Sequence, residues 1–277
     1  MHHQIITRRT TTATTTAALL IAAVTAVATG CGPDKADTGS KSKDATARPG
    51  DGLAGMTAEQ LDRRARDVTA SATSMRVKGD VVIGGRSMEM DLALDRHGSC
   101  RGSITLGGGG TLDLIKKGDD LIYMKGDERF WRGSVAASQK GNPGRRVSPE
   151  RVEKGIALFK NRWVKADRRM ANGMGANLCN LKKMTGMLGD EATGGVTRGA
   201  DTTEGGQPVA VLYQRKDDIV STIHVAGKGK PYLVRITAEG GSAPGDLYFT
   251  EYGKPVDTTP PPADQILSPA EIAAQRA

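Results

Sequence analysis

Few residues of this sequence are of the types that carry out catalysis, and their spacing does not assemble a catalytic set. Residues 40–43 read SKSK and fit the S-x-x-K pattern of acyl-transfer nucleophiles, but they lie in a polar stretch without periodicity. His97 stands beside a glycine at a predicted turn, and His224 stands alone in a predicted strand. We therefore expect no enzymatic activity, no cofactor and no metal site, with an unrecognised hydrolase as the alternative. Two pairs of adjacent aspartates occupy predicted hairpin turns, which favour this residue type: Asp119 with Asp120, and Asp217 with Asp218.

A cysteine near the N-terminus is placed for a different chemistry, the acylation of its thiol. Arg8 and Arg9 precede an apolar run over residues 17–27 that is too short to span a bilayer. Small residues at 28–30 lead directly into Cys31, in an arrangement that resembles a lipobox, the signal for diacylglyceryl transfer and cleavage before the cysteine. The sequence therefore predicts a lipoprotein signal peptide over residues 1–30 and a lipid-anchored Cys31 at the outer face of the cytoplasmic membrane. The alternative is an uncleaved helix with an incidental cysteine.

The two other cysteines, Cys100 and Cys179, are predicted to form a disulfide. Paired cysteines in an exported domain are most often bonded, and no C-x-x-C pattern suggests a metal site instead. The bond would join an early strand to a central helix. Two buried free thiols are the alternative.

The chain after the signal divides into a polar linker, a folded region and a tail. Residues 31–55 are rich in Gly, Pro and Ser with intermixed Lys and Asp, which is typical of a flexible tether. Residues 56–268 hold the periodic apolar patterns and are numerous enough for one substantial core. Residues 269–277 are predicted to be a short tail.

Positive charge is concentrated in one part of the folded region. The whole chain carries a formal net charge of +8, and residues 140–169 contain ten basic and three acidic side chains. An exported protein is not expected to meet nucleic acid, so anionic lipid headgroups or wall polymers are the acidic partners at hand. The alternative is an ordinary solvated face.

The periodicity of the folded region predicts an α+β fold. A T-x-x-Q capping box at Thr57 begins a helix with one apolar face, and two runs of short alternating strands flank a less regular middle over residues 134–190. The first run is predicted to continue through a strand at residues 129–132, and a helix is predicted from Pro149 to Phe159. About ten antiparallel strands with helices for one face favour a curved half-barrel, with a β-sandwich as the competitor.

One strand carries the main candidates for a ligand surface. Even-numbered residues from Met88 to Leu94 are apolar and alternate with Glu89 and Asp91, so they form one face of the strand. Methionine repacks readily around varied ligands, but the same face serves equally as ordinary core beneath the first helix. The predicted ligand-lining residues are Met88, Met90, Leu92 and Leu94, with Leu112 and Leu114 of a neighbouring strand.

Several segments, taken in order, resemble the LolA/LppX-like lipoproteins of the LppX/LprG type. They are the capped helix at 56–73 with the following MRVKGDVVI and MEMDLALD, then LIKKGDDLIYMKGDERFW, HVAGKGKPYLVRI and FTEYGKPVDTTPPPADQIL. The resemblance implies an antiparallel half-barrel with helices on its concave face, acyl chains held between them, and no catalysis. It favours a membrane-anchored carrier of lipid or lipopeptide over the alternative, an envelope interaction module with a filled core.

Overall fold

The computed structural model describes residues 53, 55–118, 121–141, 147–166, 179–186 and 195–274. The predicted signal peptide, Cys31 and nearly all of the tether lie outside these residues. So do four arginines of the basic stretch and the aspartates at 119 and 120. Among the described residues, no helix is both long and apolar enough to cross a membrane.

Twelve strands and five α-helices make up the described fold. The helices are α1 Ala58–Ala70, α2 Glu128–Gly141, α3 Pro149–Phe159, α4 Leu181–Gly186 and α5 Pro269–Ala274. The strands of the first half are β1 Ser74–Ile83, β2 Arg86–Asp95, β3 Cys100–Leu106, β4 Gly110–Lys117, β5 Leu121–Gly126 and β6 Val164–Ala166. Those of the second half are β7 Val196–Arg198, β8 Thr202–Glu204, β9 Gln207–Lys216, β10 Ile219–Ala226, β11 Leu233–Glu239 and β12 Gly245–Thr250.

All twelve strands belong to one open antiparallel sheet. Its order is β6-β5-β4-β3-β2-β1-β12-β11-β10-β9-β7, and β8 pairs with β9. Each half is a meander of neighbouring strands, and the pairing of β1 with β12 joins the two meanders in the middle. The predicted α+β fold with an antiparallel half-barrel sheet is confirmed, with twelve strands in place of about ten.

Helix α1 begins where the sequence predicts it. The Thr57 hydroxyl accepts from the Gln60 amide at 3.2 Å, and the Gln60 side chain accepts from the Thr57 amide at 2.9 Å, so the capping box is formed. Leu61 and Ala65 are fully buried and belong to the main apolar cluster, together with Leu181 and Met184 of α4. Two helices therefore cover part of the inner face of the sheet.

The alternation predicted for β2 is confirmed. Met88, Met90, Leu92 and Leu94 are buried, while Glu89 is exposed and Asp91 is half-buried and bonded to Arg76 at 2.6 Å. Registers with β1 and β3 place Val77 and Gly102 on either side of Leu92. Apolar residues alternate with polar ones in each of these strands, so their pairing produces one continuous apolar inner face.

The prediction of a strand at residues 129–132 is wrong, because these residues lie in the first turn and a half of α2. The Asp127 carboxylate accepts from the Phe130 amide at 2.7 Å, and its backbone carbonyl accepts from the Trp131 amide at 3.2 Å. Asp127 is thus the N-cap of a helix, which satisfies an amide that has no partner inside the helix. The helix predicted at Pro149–Phe159 is present as α3.

The predicted disulfide between Cys100 and Cys179 is present, with the two Cα atoms 5.3 Å apart. Cys100 begins β3, and Cys179 lies two residues before α4 rather than within it. Both cysteines are buried in the main apolar cluster. The bond therefore fastens the start of α4 to the inner face of the sheet.

Candidate functional site

A cleft of about 320 Å³ opens between α2 and the tips of the β1–β2 and β3–β4 hairpins. Its floor is apolar and comes from the strands, where Met88, Ile104 and Leu112 lie side by side. Phe130 closes one side, and small residues of α2 form the rest of that wall, namely Gly133, Ser134 and Ala137. Among the described residues, Arg86 and Ser134 are the polar side chains of the lining, so the arrangement suits contact with an apolar chain.

Strand register brings the floor residues together. Met90 pairs with Ile104, Ile104 pairs with Leu112, and Met88 pairs with Leu106 one step nearer the tip. Because these are facing partners in antiparallel strands, their side chains lie on the same face of the sheet. The cleft is thus the end of the inner face, next to the glycine-rich tip at residues 107–110.

Helix α2 lies close to the sheet because β5 ends in a glycine. A side chain at Gly126 would collide with the rings of Phe130 and Trp131. Instead, the Trp131 indole N–H donates to the Gly126 carbonyl at 3.1 Å, and Phe130 is buried against Leu112 and Met124. The contact fixes the helix as one wall of the cleft.

The structure separates the six predicted ligand-lining residues into two groups. Met88 and Leu112 line the cleft. The other four are at most 3 % exposed, do not line the cleft and pack in the main apolar cluster: Met90, Leu92, Leu94 and Leu114.

Charge at the cleft comes from two cations, Arg86, which lines both of its parts, and Lys140, which lines only the outer part. An outer part of about 480 Å³ continues from the apolar part and is lined by Arg86 and Lys140, with Gly107 to Gly109 and α2 between them. Of the residues that the structure describes, no carboxylate lines either part. Neither Arg86 nor Lys140 forms an ion pair within the described part of the chain.

Arg132 of α2 is paired with carboxylates, in contrast to these two cations. Arg132 contacts Glu128 at 2.8 Å and Glu153 at 2.5 Å, so it ties α3 to α2. Hydrogen bonds to Glu153 and Glu128 raise the pKa of Arg132, and the bond from Arg132 lowers the pKa of each carboxylate. The Arg132 side chain is therefore bonded to Glu128 and Glu153, and it does not line the cleft.

The described part of the basic stretch at 140–169 is about half neutralised. Lys154, Lys160 and Arg162 contact carboxylates at 2.9, 3.5 and 3.5 Å. Within the described residues, Lys140, Arg151 and Lys165 have no such partner. Arg145, Arg146, Arg168 and Arg169 lie outside them, so an anionic partner for this stretch stays a prediction.

The two histidines within the described residues lie on different halves of the fold. His97 is exposed in the β2–β3 turn, and His224 lies on β10 with its Nδ1 2.9 Å from a Glu204 carboxylate oxygen. No group of three or more potential metal ligands occurs within the described ranges. Asp217 and Asp218 occupy the β9–β10 turn, as predicted.

Sequence reasoning missed the helical wall of the cleft. Phe130, Gly133, Ser134 and Ala137 belong to a segment whose start was assigned to a strand. The available signal was Asp127 three residues before Phe130, followed by Glu128 in the first turn, a pattern that begins helices.

Comparisons with known proteins find likeness in structure only. No protein-family model matches the chain, and neither does any curated protein sequence. Solved structures similar to it include LprF from Mycobacterium bovis, at 12% identity over 74% of this chain and 96% of that one, with a TM-score of 0.48. The lipoprotein LppX from Mycobacterium tuberculosis has 12% identity over 73% and 98%, with a TM-score of 0.42. A LolA superfamily protein from Nitrosomonas europaea has 7% identity over 74% and 96%, with a TM-score of 0.24. All three TM-scores lie below 0.5, and no identity exceeds 12%.

Proposed function

We propose that this protein is a lipid-anchored envelope protein that binds an apolar chain of a lipid or lipopeptide in the cleft beside α2. The observation that carries the proposal is a cleft between helix and sheet whose floor is apolar and consists of the nearly buried side chains of Met88, Ile104 and Leu112. Its volume of about 320 Å³ lies at the lower end of the range for small-molecule sites. One chain of an amphiphile therefore fits the site better than a bulky multi-chain lipid.

The walls suit a chain of variable length. Met88 is flexible and polarizable, so it adjusts to different neighbours. Gly133, Ser134 and Ala137 let a ligand lie close to the helix backbone. The outer part of the cleft gives the polar end of such a ligand a way out to water.

The proposed anchor is Cys31, joined to the binding domain by the tether at 31–55. Replacing Cys31 with Ala should abolish fatty-acid labelling and membrane retention, since no other thiol follows the signal directly. The matched control replaces Cys100 and Cys179 with Ser and should keep the label. A C31A protein that still carries label would remove the anchor from the proposal.

Binding is tested with a fluorescent acyl probe on the tether-plus-domain protein. Ala137 lines the cleft, whereas its exposed neighbour Ser138 lines neither part of it. Ala137→Trp should fill the mouth and weaken probe binding at least tenfold, and Ser138→Trp should leave it unchanged. Equal affinities for both variants would place the probe elsewhere and refute the cleft.

A second candidate function rests on the four predicted ligand residues that pack in the core. Met90, Leu92, Leu94 and Leu114 share one apolar cluster with α1 and α4. A filled core favours an interaction module whose partner binds its surface. Native mass spectrometry distinguishes the two: a copurifying lipid supports the carrier, and an apo mass with no probe binding supports the module.

A further inference from the structure

The mouth of the cleft differs in charge from its interior. Arg86 at the start of β2 and Lys140 near the end of α2 both line the outer part, and Arg86 also borders the inner part, whose floor is apolar. The order from inside to outside is therefore apolar, then cationic. An amphiphile with an anionic end has the same order along its length.

The two cations have no carboxylate to neutralise them within the described residues. On the same helix pair, Arg132, Lys154 and Lys160 have carboxylate partners within 3.5 Å, whereas Arg129 and Arg151 have none within the described residues and do not line the cleft. Unpaired cations beside a low-dielectric wall raise the local concentration of anions and repel cations. The mouth therefore selects by sign of charge, independently of the apolar floor.

The chemistry of the two cations suits a carboxylate or a phosphate. The Arg86 guanidinium presents paired donors that match either group, and the Lys140 ammonium supplies a second, mobile charge. The tip residues Gly107 to Gly109 add no side chain between them, and a side chain at Gly108 would meet only open space. Room for a headgroup therefore exists between the cations.

We infer that the ligand is an anionic amphiphile whose carboxylate or phosphate lies between Arg86 and Lys140. The inference rests on the proposed function, because the tail must occupy the cleft for the headgroup to lie at its mouth. It narrows the ligand to a charge class that the apolar floor alone does not specify.

The test compares dansyl-undecanoic acid with its methyl ester, which has the same tail and no charge. The wild-type protein should bind the acid about three- to tenfold more tightly, as expected for one or two partly exposed charge contacts. In the R86Q/K140Q variant this preference should disappear, because the affinity for the acid falls to the affinity of the same variant for the ester. The control R64Q/K228Q removes two charges that do not line the cleft, and it should keep the preference.

Each other outcome has a distinct meaning. Equal binding of acid and ester by the wild type, or an unchanged preference in R86Q/K140Q, would overturn the inference and leave the proposed function intact. If R64Q/K228Q also loses the preference for the acid, the preference depends only on the net charge of the protein, and the inference is overturned as well. If inorganic phosphate at a concentration equal to that of the acid displaces the acid, the mouth binds a free anion, and the inference is overturned. No binding of either probe would remove the proposed function itself.

Discussion

Replacing Asp127 with Ala should destabilise the domain by about 2 kcal/mol. The Asp127 carboxylate accepts two hydrogen bonds, from the Phe130 amide at 2.7 Å and from the Thr111 amide at 3.0 Å. Losing a helix N-cap costs about 1 kcal/mol, and losing a second net hydrogen bond costs about 1 kcal/mol more. For a domain of this size, the loss should lower the melting temperature by roughly 4–8 °C. Asp127→Asn keeps one acceptor oxygen and should cost about half as much.

The assay is urea unfolding followed by tryptophan fluorescence. One of the two tryptophans, Trp131, lies in α2 and bonds to Gly126, so its signal reports on the helix that Asp127 caps. Ser148 gives a matched control, since it is the N-cap of α3 but makes no side-chain capping bond. Ser148→Ala should stay within about 0.5 kcal/mol of wild type. If the stability of D127A also stays within about 0.5 kcal/mol of wild type, or if S148A loses as much stability as D127A, the assignment of Asp127 as the cap is wrong.

Four other variants test the core and the cleft, the disulfide and the Arg132 ion pairs. Met90→Trp should overpack the core and cost about 1–3 kcal/mol, whereas Met88→Trp at the edge of the cleft should lower acyl-probe affinity and cost less stability than Met90→Trp; equal effects on both measurements would refute the division. Replacing Cys100 and Cys179 with Ser should cost about 3–5 kcal/mol for a loop closed over 79 positions, and a urea midpoint equal to that of wild type would contradict this. Arg132→Gln should destabilise the domain at pH 7 but less at low pH, because Arg132 lowers the pKa values of its two carboxylate partners in the folded state. The stability that these partners contribute is present above their unfolded pKa and is lost as pH falls through their folded pKa. A difference in urea midpoint that does not change with pH would count against this prediction.

Elements whose signals are local were predictable from the sequence. The start of helix α1 is marked by the reciprocal hydrogen bonds between Thr57 and Gln60, which are three residues apart. In strand β2, the alternation of apolar and polar residues predicts which side chains are buried, and the neighbouring strands have the same alternation. In both cases the deciding contacts lie within a few residues or follow from one period.

Helix α2 was not predictable in the same way. Its capping residue also bonds to Thr111, 16 positions earlier in the chain, and its approach to the sheet depends on Gly126 having no side chain. The segment after Asp127 contains Phe130 and Trp131, aromatic residues that favour strands when read locally. Tertiary contacts therefore override local propensity at this helix.

The division of β2 into core and cleft follows from where the helices lie. Met88 and Met90 share a face, and nothing in their spacing distinguishes them. Met90 packs in the main apolar cluster, and Met88 also borders open space below α2. Because the inner face is apolar up to its end, the coverage by helices decides which part stays available to a ligand. The sequence pattern thus defines a surface suited to apolar contact, and the position of α2, fixed by Asp127 and Gly126, decides where that surface is open.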